Sequence, residues 1–190
     1  MESLLRLRRF VEPPPPKQEK CELCGAPIEA AHGHIVDLER RRLLCSCRPC
    51  YLLFTERGAA QGKLRSVSER YLKLARIEAP EIPVGIVFFI RDSSANGVKG
   101  FYPSPAGATE SSLSNEAWEE MLKSAPELAT LEPDVEALLV SRNQAWIVPV
   151  DACYELTGRI KRSWRGFDGG RDAWREIDAF LAELPHARCA

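Results

Sequence analysis

An antiparallel sheet with helices gathered on one side, preceded by a small metal-binding module, is the α+β architecture predicted for this chain. Three observations predict it. Five of the seven cysteines fall between Cys21 and Cys50, the clustering of a metal-stapled unit. Downstream, apolar β-branched runs joined by turns alternate with amphipathic segments in the order ββα then ββαα. The length of 190 residues and the 45% hydrophobic content suit one main core plus one small module.

Residues 1–19 read as a basic-apolar arm and a spacer. Leu4, Leu5, Leu7 and Phe10 are interleaved with Arg6, Arg8 and Arg9. The uninterrupted apolar region and cleavage site of a secretory signal are missing, so a cytoplasmic location is expected. The run from Pro13 to Pro16 favours polyproline II and acts as a semi-rigid spacer. Such an arm is either a frayed terminus or a docking peptide. No apolar run approaches the roughly 20 residues that span a bilayer. A net charge of −1 predicts no global attraction to nucleic acid or membrane.

Residues 20–54 carry C-x2-C-x7-H-x-H-x10-C-x-C-x2-C. A C-x2-C turn lets two thiolates converge on one ion, and Gly25 supplies the φ freedom behind Cys24. Two such knuckles complete a tetrahedron, so Cys21, Cys24, Cys47 and Cys50 are the expected ligands. Cys45 competes with Cys47 for a place, and His34 is a further alternative. Zinc is the expected ion; iron, in a rubredoxin-like electron-transfer centre, is the alternative for the same donors. Against iron, the second knuckle lacks the glycine that rubredoxin turns carry. His32 and His34 share a face if extended, and weakly resemble the histidines of zinc-stapled HNH-type nucleases. The asparagine of those enzymes is Tyr51 here, and no second metal-binding histidine follows. Imidazoles on a zinc-ribbon hairpin, either at the surface or backing the metal ligands, are the simpler expectation.

Residues 55–81 read as a basic connector, with a charge of about +5 between Arg57 and Arg76. Ser66-Val-Ser-Glu69 has the form of a capping box opening a short helix. Residues 82–190 form the α+β domain. Ile82–Arg91 is nearly continuously apolar, a central strand, and a turn ending in Asn96-Gly97 leads to a second strand over Val98–Tyr102. Pro103 to Glu110 reads as a flexible connector, and Ser114 as the cap of a helix carrying Trp118, Met121 and Leu122. A second hairpin spans Val135–Ser141 and Ala145–Val150. A helix from Asp151 places Cys153, Leu156, Ile160 and Trp164 together. The loop Arg165–Gly170 is an αα-corner or, with Arg162, an anion site. A last helix carries Trp174, Ile177, Leu181 and Leu184.

No nucleophile elbow, P-loop or dinucleotide fingerprint occurs, and a redox use of Cys21 and Cys24 lacks its βαβ context. The segments CELCGAPI, HGHIVDLERRRLLCSCRPCYLLF, IPVGIVFFIRDS, FYPSPAGATES, LEPDVEALLV and VPVDACYELTGRIKRSWRGFDGG carry a resemblance across residues 5–184. They are similar to an uncharacterised bacterial family encoded beside nickel–iron uptake hydrogenase genes. That resemblance implies a cytosolic accessory role, with a hydrogenase subunit or maturation factor as partner, and assigns no catalytic residue. Three readings follow: a zinc-stabilised scaffold, a rubredoxin-like electron-transfer adaptor, and a nucleic-acid-binding or nuclease module on the basic edge of Arg40, Arg41, Arg42 and Arg48. The first is favoured, because aromatic stacking platforms are missing near that edge.

Overall fold

The computed structural model describes residues 18–75, 77, 85–95, 97–104, 106–112, 115–142, 144–166 and 169–184. The arm, the proline spacer, the Ser114 cap and residues 82–84 lie outside the described residues.

Two antiparallel sheets organise the chain. The smaller has the order β2-β1-β3, built from β1 (Gly33–Asp37), β2 (Arg42–Ser46) and β3 (Leu64–Ser66). Its hairpin turns where Asp37 accepts the Arg40 N–H (3.0 Å) and Arg41 takes φ +49°. A short helix, α1 (Arg48–Leu53), follows β2 directly. Tyr51 of α1 packs on Gly33 so closely that a Cβ there would lie 2.6 Å from its ring, and its hydroxyl donates to the Val67 carbonyl. Glycine at 33 is therefore what lets the helix sit flat on the sheet.

The larger sheet has the order β4-β9-β8-β5-β6-β7. Its strands are β4 (Leu72–Leu74), β5 (Ile86–Asp92), β6 (Gly97–Ser104), β7 (Gly107–Ser112), β8 (Glu136–Ser141) and β9 (Gln144–Pro149). Three helices complete it: α2 (Asn115–Ser124), α3 (Val150–Ser163) and α4 (Gly170–Glu183). Pro149 and Asp151 open α3, and Gly169 at φ +85° makes the entry to α4.

The helices do not gather on one side. Ile86, Phe88, Leu139, Trp146 and Val148 face α3 and α4, meeting Leu156, Ile160, Ile177 and Phe180. The alternate residues Val87, Phe89, Leu138, Val140 and Ile147 face Trp118 and Met121 of α2 and Leu128 of the 3-10 turn after it. The pleat sends successive side chains to opposite faces, so strands apolar at every position need cover on both. Each fully buried side chain of the Trp146 or Leu139 kind contributes about 1.5–3 kcal/mol.

Other expectations shift as well. Pro103 does not end its strand: β6 runs through it and pairs with β7, Pro103 opposite Ala108, so most of the expected flexible loop is a hairpin. The β5–β6 register ends at Phe88 opposite Phe101, so β5 makes no demand on the missing N–H of Pro103. In α4 the buried residues are Ala173, Ile177, Phe180 and Leu184, with Trp174 and Leu181 only partly covered. The helix is rotated because it packs on α3 as well as on the sheet. The capping box is not used. Ser66 ends β3, and Val67 is buried, so packing of a β-branched residue prevails over local capping.

Residues 55–81 are more than a connector, since they supply β3 to one sheet and β4 to the other. Val36, Val67, Val135 and Val150 form a shared apolar contact between the sheets. Arg65 reaches Glu132 (2.6 Å) and the Pro133 carbonyl (2.8 Å) across the same boundary.

The β5–β6 turn is stabilised from its first residue. Asp92 Oδ1 accepts from the Ser94 hydroxyl (2.6 Å) and from the N–H groups of Ser94 (2.9 Å) and Ala95 (3.1 Å). The Ser94 hydroxyl, these N–H groups and nearby Arg41 hold the Asp92 carboxyl below its ordinary range, outweighing partial burial. A lowered folded-state value means the contribution is complete above the unfolded value of about 3.9 and is lost as pH falls through the folded one. Asp92→Asn is expected to cost about 1 kcal/mol at neutral pH and to flatten the acid limb of stability between about pH 5 and 2. Urea unfolding as a function of pH measures both.

Candidate metal centre

The first cysteine pair sits in a knuckle closed by a bridge between Lys20 and Pro27. Cys21 N–H donates to the Ala26 carbonyl and Gly25 N–H to the Cys21 carbonyl, both at 2.8 Å, with Gly25 at φ +74°. The second pair is built differently. Cys47 follows the last residue of β2 and caps α1, Pro49 lies at the helix start, and Cys50 occupies the first turn. A zinc ribbon would present a second hairpin knuckle there, whereas this chain presents a helix start.

Glu22 ties the halves together. Its N–H donates to the Cys45 carbonyl (2.9 Å), and its carboxylate accepts the Cys45 N–H (2.7 Å). The knuckle is thereby held against β2, and the Cys24 and Cys47 sulfurs come within 3.6 Å. The sulfurs of Cys21, Cys24, Cys47 and Cys50 all lie within 4.8 Å of one another. Four sulfurs around a zinc ion at about 2.3 Å stand roughly 3.8 Å apart, so the cluster needs only a small contraction to close on an ion.

The thiols depend on one another electrostatically. Burial raises the Cys21 value, but N–H groups of Cys47, Cys24 and Leu23 directed at its sulfur prevail and bring it to about 6. Cys50 is pushed up to about 12, first by the Cys47 thiol, then by burial and by the other two thiols. Cys21 ionises readily, while neighbouring thiols hold Cys24 and Cys50 above their ordinary values. A divalent cation removes that opposition, so the donor set fits a metal ion. Four thiolates would close the tetrahedron and leave no coordination position for a substrate.

Cys45 is not in this group. In the β1–β2 register it stands opposite His34, and its sulfur lies within 4.8 Å of a ring nitrogen of His32 and of His34. Burial, then the carboxylates of Glu22 and Glu19, raise its thiol. His34 is half-buried, and its Nδ1 is 2.8 Å from Asp151 at the start of α3. Both imidazoles are partly withdrawn from solvent, and no sequence signal could have joined His34 to a carboxylate 117 positions away.

The basic residues are committed to carboxylates. Arg40 pairs with Asp37, Arg41 with Asp92, Arg42 with Glu22 and Asp37, and Arg48 with Glu69. In the former connector Arg57 and Arg65 reach Glu132, Lys63 reaches Glu39, and Arg70 reaches Glu136. Among the described residues no helix is long and apolar enough to cross a membrane.

The model of the Family of unknown function (DUF5947) matches residues 20–188, and the chain belongs to that family. No curated protein and no solved structure matches the chain.

Proposed function

We propose, from the premise of a family without an assigned activity, that this chain is a zinc-stabilised accessory protein that works by holding a protein partner. One observation carries the reading. The module with a closed four-thiol centre also bears three of the four exposed large hydrophobic side chains found among the described residues, Leu23, Leu52 and Leu53. Leu52 and Leu53 lie side by side on α1 and are 53% and 67% exposed, so a partner that covers them gains their burial free energy. A centre saturated by thiolates stabilises structure, so the ion would shape this surface instead of performing chemistry at it.

Zinc is preferred over iron because the second cysteine pair sits on a helix start, unlike the paired loops of a rubredoxin-like centre. The pairing of each basic edge residue with an acid disfavours phosphate binding. The resemblance to proteins encoded beside nickel–iron uptake hydrogenase genes names the partner to seek: a hydrogenase subunit or maturation factor.

The tagged chain, purified from its native cell, is expected to be colourless, to hold one tightly bound zinc and to bring down a hydrogenase component. Leu52→Ser with Leu53→Ser should keep the zinc and the thermal midpoint while reducing partner recovery at least tenfold. A red protein holding iron would move the reading to electron transfer. Undiminished recovery by the double variant would remove the leucines from the interface.

A further inference from the structure

We propose that His32, His34 and Cys45 form a second metal site, separate from the four-cysteine centre, that takes a zinc-class divalent ion and leaves one coordination position open. Two of the three residues share a face of the smaller sheet, and His32 lies just before its first strand. His34 and Cys45 are opposite one another in the antiparallel register, and His32 lies two residues upstream of His34. One ring nitrogen of each histidine and the Cys45 sulfur fall within 4.8 Å of one another. Ligand atoms around a tetrahedral zinc ion stand roughly 3.3–3.8 Å apart, within reach of small side-chain rotations.

The hydrogen bonds prepare both imidazoles for a cation. His32 Nδ1 lies 2.8 Å from the Glu29 carbonyl oxygen, which can only accept, so Nδ1 carries the proton. His34 Nδ1 donates in the same way to the Asp151 carboxylate. With Nδ1 donating in each ring, Nε2 is the nitrogen left to face a cation. This is the arrangement by which a carbonyl or a carboxylate orients a metal-binding histidine and raises its basicity.

His32 supplies the decisive detail. Its side chain is only 10% exposed, and its Nε2 is buried with no hydrogen-bond partner. A buried acceptor left without a partner is costly to keep, so an unpaired one calls for an explanation. The tilted contact of the two rings, 4.9 Å between centroids, explains their proximity but gives that lone pair nothing. A cation bound at Nε2 would satisfy it. Glu19, Glu22 and Asp151 surround the site and would offset the added charge.

Two imidazoles and a thiolate suit a borderline ion of the zinc class and not magnesium or calcium. Three protein ligands leave the fourth tetrahedral position to water or to an incoming donor. Both histidines line a cavity of about 580 Å³, shared with Arg48, Ser68, Tyr71 and Asp151, from which such a donor could come. An open site of three ligands binds more weakly than a closed site of four. The second ion should therefore exchange under conditions that leave the first in place.

The test is a metal titration of the full-length protein with its tight equivalent retained, using Zn2+ against a chromophoric competitor and Co2+ as an optical probe. Wild type is expected to take up one further equivalent, two in total. His32→Ala and Cys45→Ala should each return the total to one. With Co2+, Cys45→Ala should also abolish the thiolate charge-transfer band of the second equivalent. Asp151→Asn should preserve the count and weaken the second equivalent about 10–100-fold. Retention of the tight ion in each variant reports that the module is folded. Saturation of wild type at one equivalent overturns the proposal, and so does a second equivalent that survives both His32→Ala and Cys45→Ala. Loss of the tight equivalent from wild type would instead strike at the four-cysteine centre, so the two failures are distinguishable.

Discussion

Cys21→Ser is expected to release the tight metal equivalent and to unfold the sheet β2-β1-β3 together with α1. Residues 20–54 bury few large side chains of their own, chiefly Ile35, Leu44 and Tyr51, which is little for an independent unit. Structural zinc contributes on the order of 10–16 kcal/mol in small zinc modules near neutral pH, because binding and folding are one event there. Serine offers no comparable ligand, so most of that free energy disappears. Cys50→Ser should behave alike. Cys45→Ser should keep the tight ion, since its sulfur belongs with the histidines. Elemental analysis counts the metal, and hydrogen exchange locates the damage. Protection should vanish over residues 33–66 and persist in β5, β8 and β9, whose cover comes from α2, α3 and α4. Two results would sink this account: a tight ion retained in Cys47→Ser but lost in Cys45→Ser, or equal loss of protection in both sheets.

Arg70→Ala is expected to destabilise the protein strongly although it lies away from the metal centre. Glu136 begins β8 and is 1% exposed. Its carboxylate accepts from Arg70 Nε (2.9 Å) and Nη2 (2.6 Å), from the Ser68 hydroxyl (2.8 Å) and from Glu132 N–H (2.8 Å). The geometry is bidentate, and the buried charge is fully satisfied. Alanine at 70 leaves that charge without a counterion, a change that costs about 3–5 kcal/mol in buried pairs. Because the Arg70 side chain is 37% exposed, water recovers part of this, and about 3 kcal/mol is the expected loss. Arg70→Met combined with Glu136→Leu should be less damaging than Arg70→Ala alone, since no charge is then stranded. Chemical denaturation of the three proteins decides. A loss under about 1 kcal/mol for Arg70→Ala would mean that the carboxylate is solvated.

The cysteine-rich half was the more legible in sequence, for a local reason. Each C-x2-C pair encodes its own turn, and such turns need nothing distant to form. What spacing could not show was that the second pair sits on a helix start, because Arg48-Pro49 suits either geometry. In the larger sheet, β5, β8 and β9 were legible from their β-branched runs. The same runs also held a correction to the one-sided expectation. Ile86-Val87-Phe88-Phe89 is apolar at every position, and a strand without alternation needs cover on both faces. The three-residue strands β3 and β4 are too short to have a period, and their pairing is decided by partners in other parts of the chain. The link between His34 and Asp151 is invisible for the same reason.

The division of residues 64–74 between two sheets sets an order of assembly on the ribosome. All four sulfurs of the tight centre, the β1–β2 hairpin and β3 lie before Val67, so the module has every part it needs early in synthesis. β4 has no partner until β9 is made about 75 residues later, roughly 4–15 s at ordinary elongation rates. Arg70 waits 66 residues for Glu136, and His34 waits 117 for Asp151. Through that time the nascent chain displays an unpaired edge, but one only three residues long with exposed Lys73 at its centre, a poor template for other chains. Convergence of the four sulfurs thus belongs to the first seconds of the protein's life, and joining of the two sheets to the last.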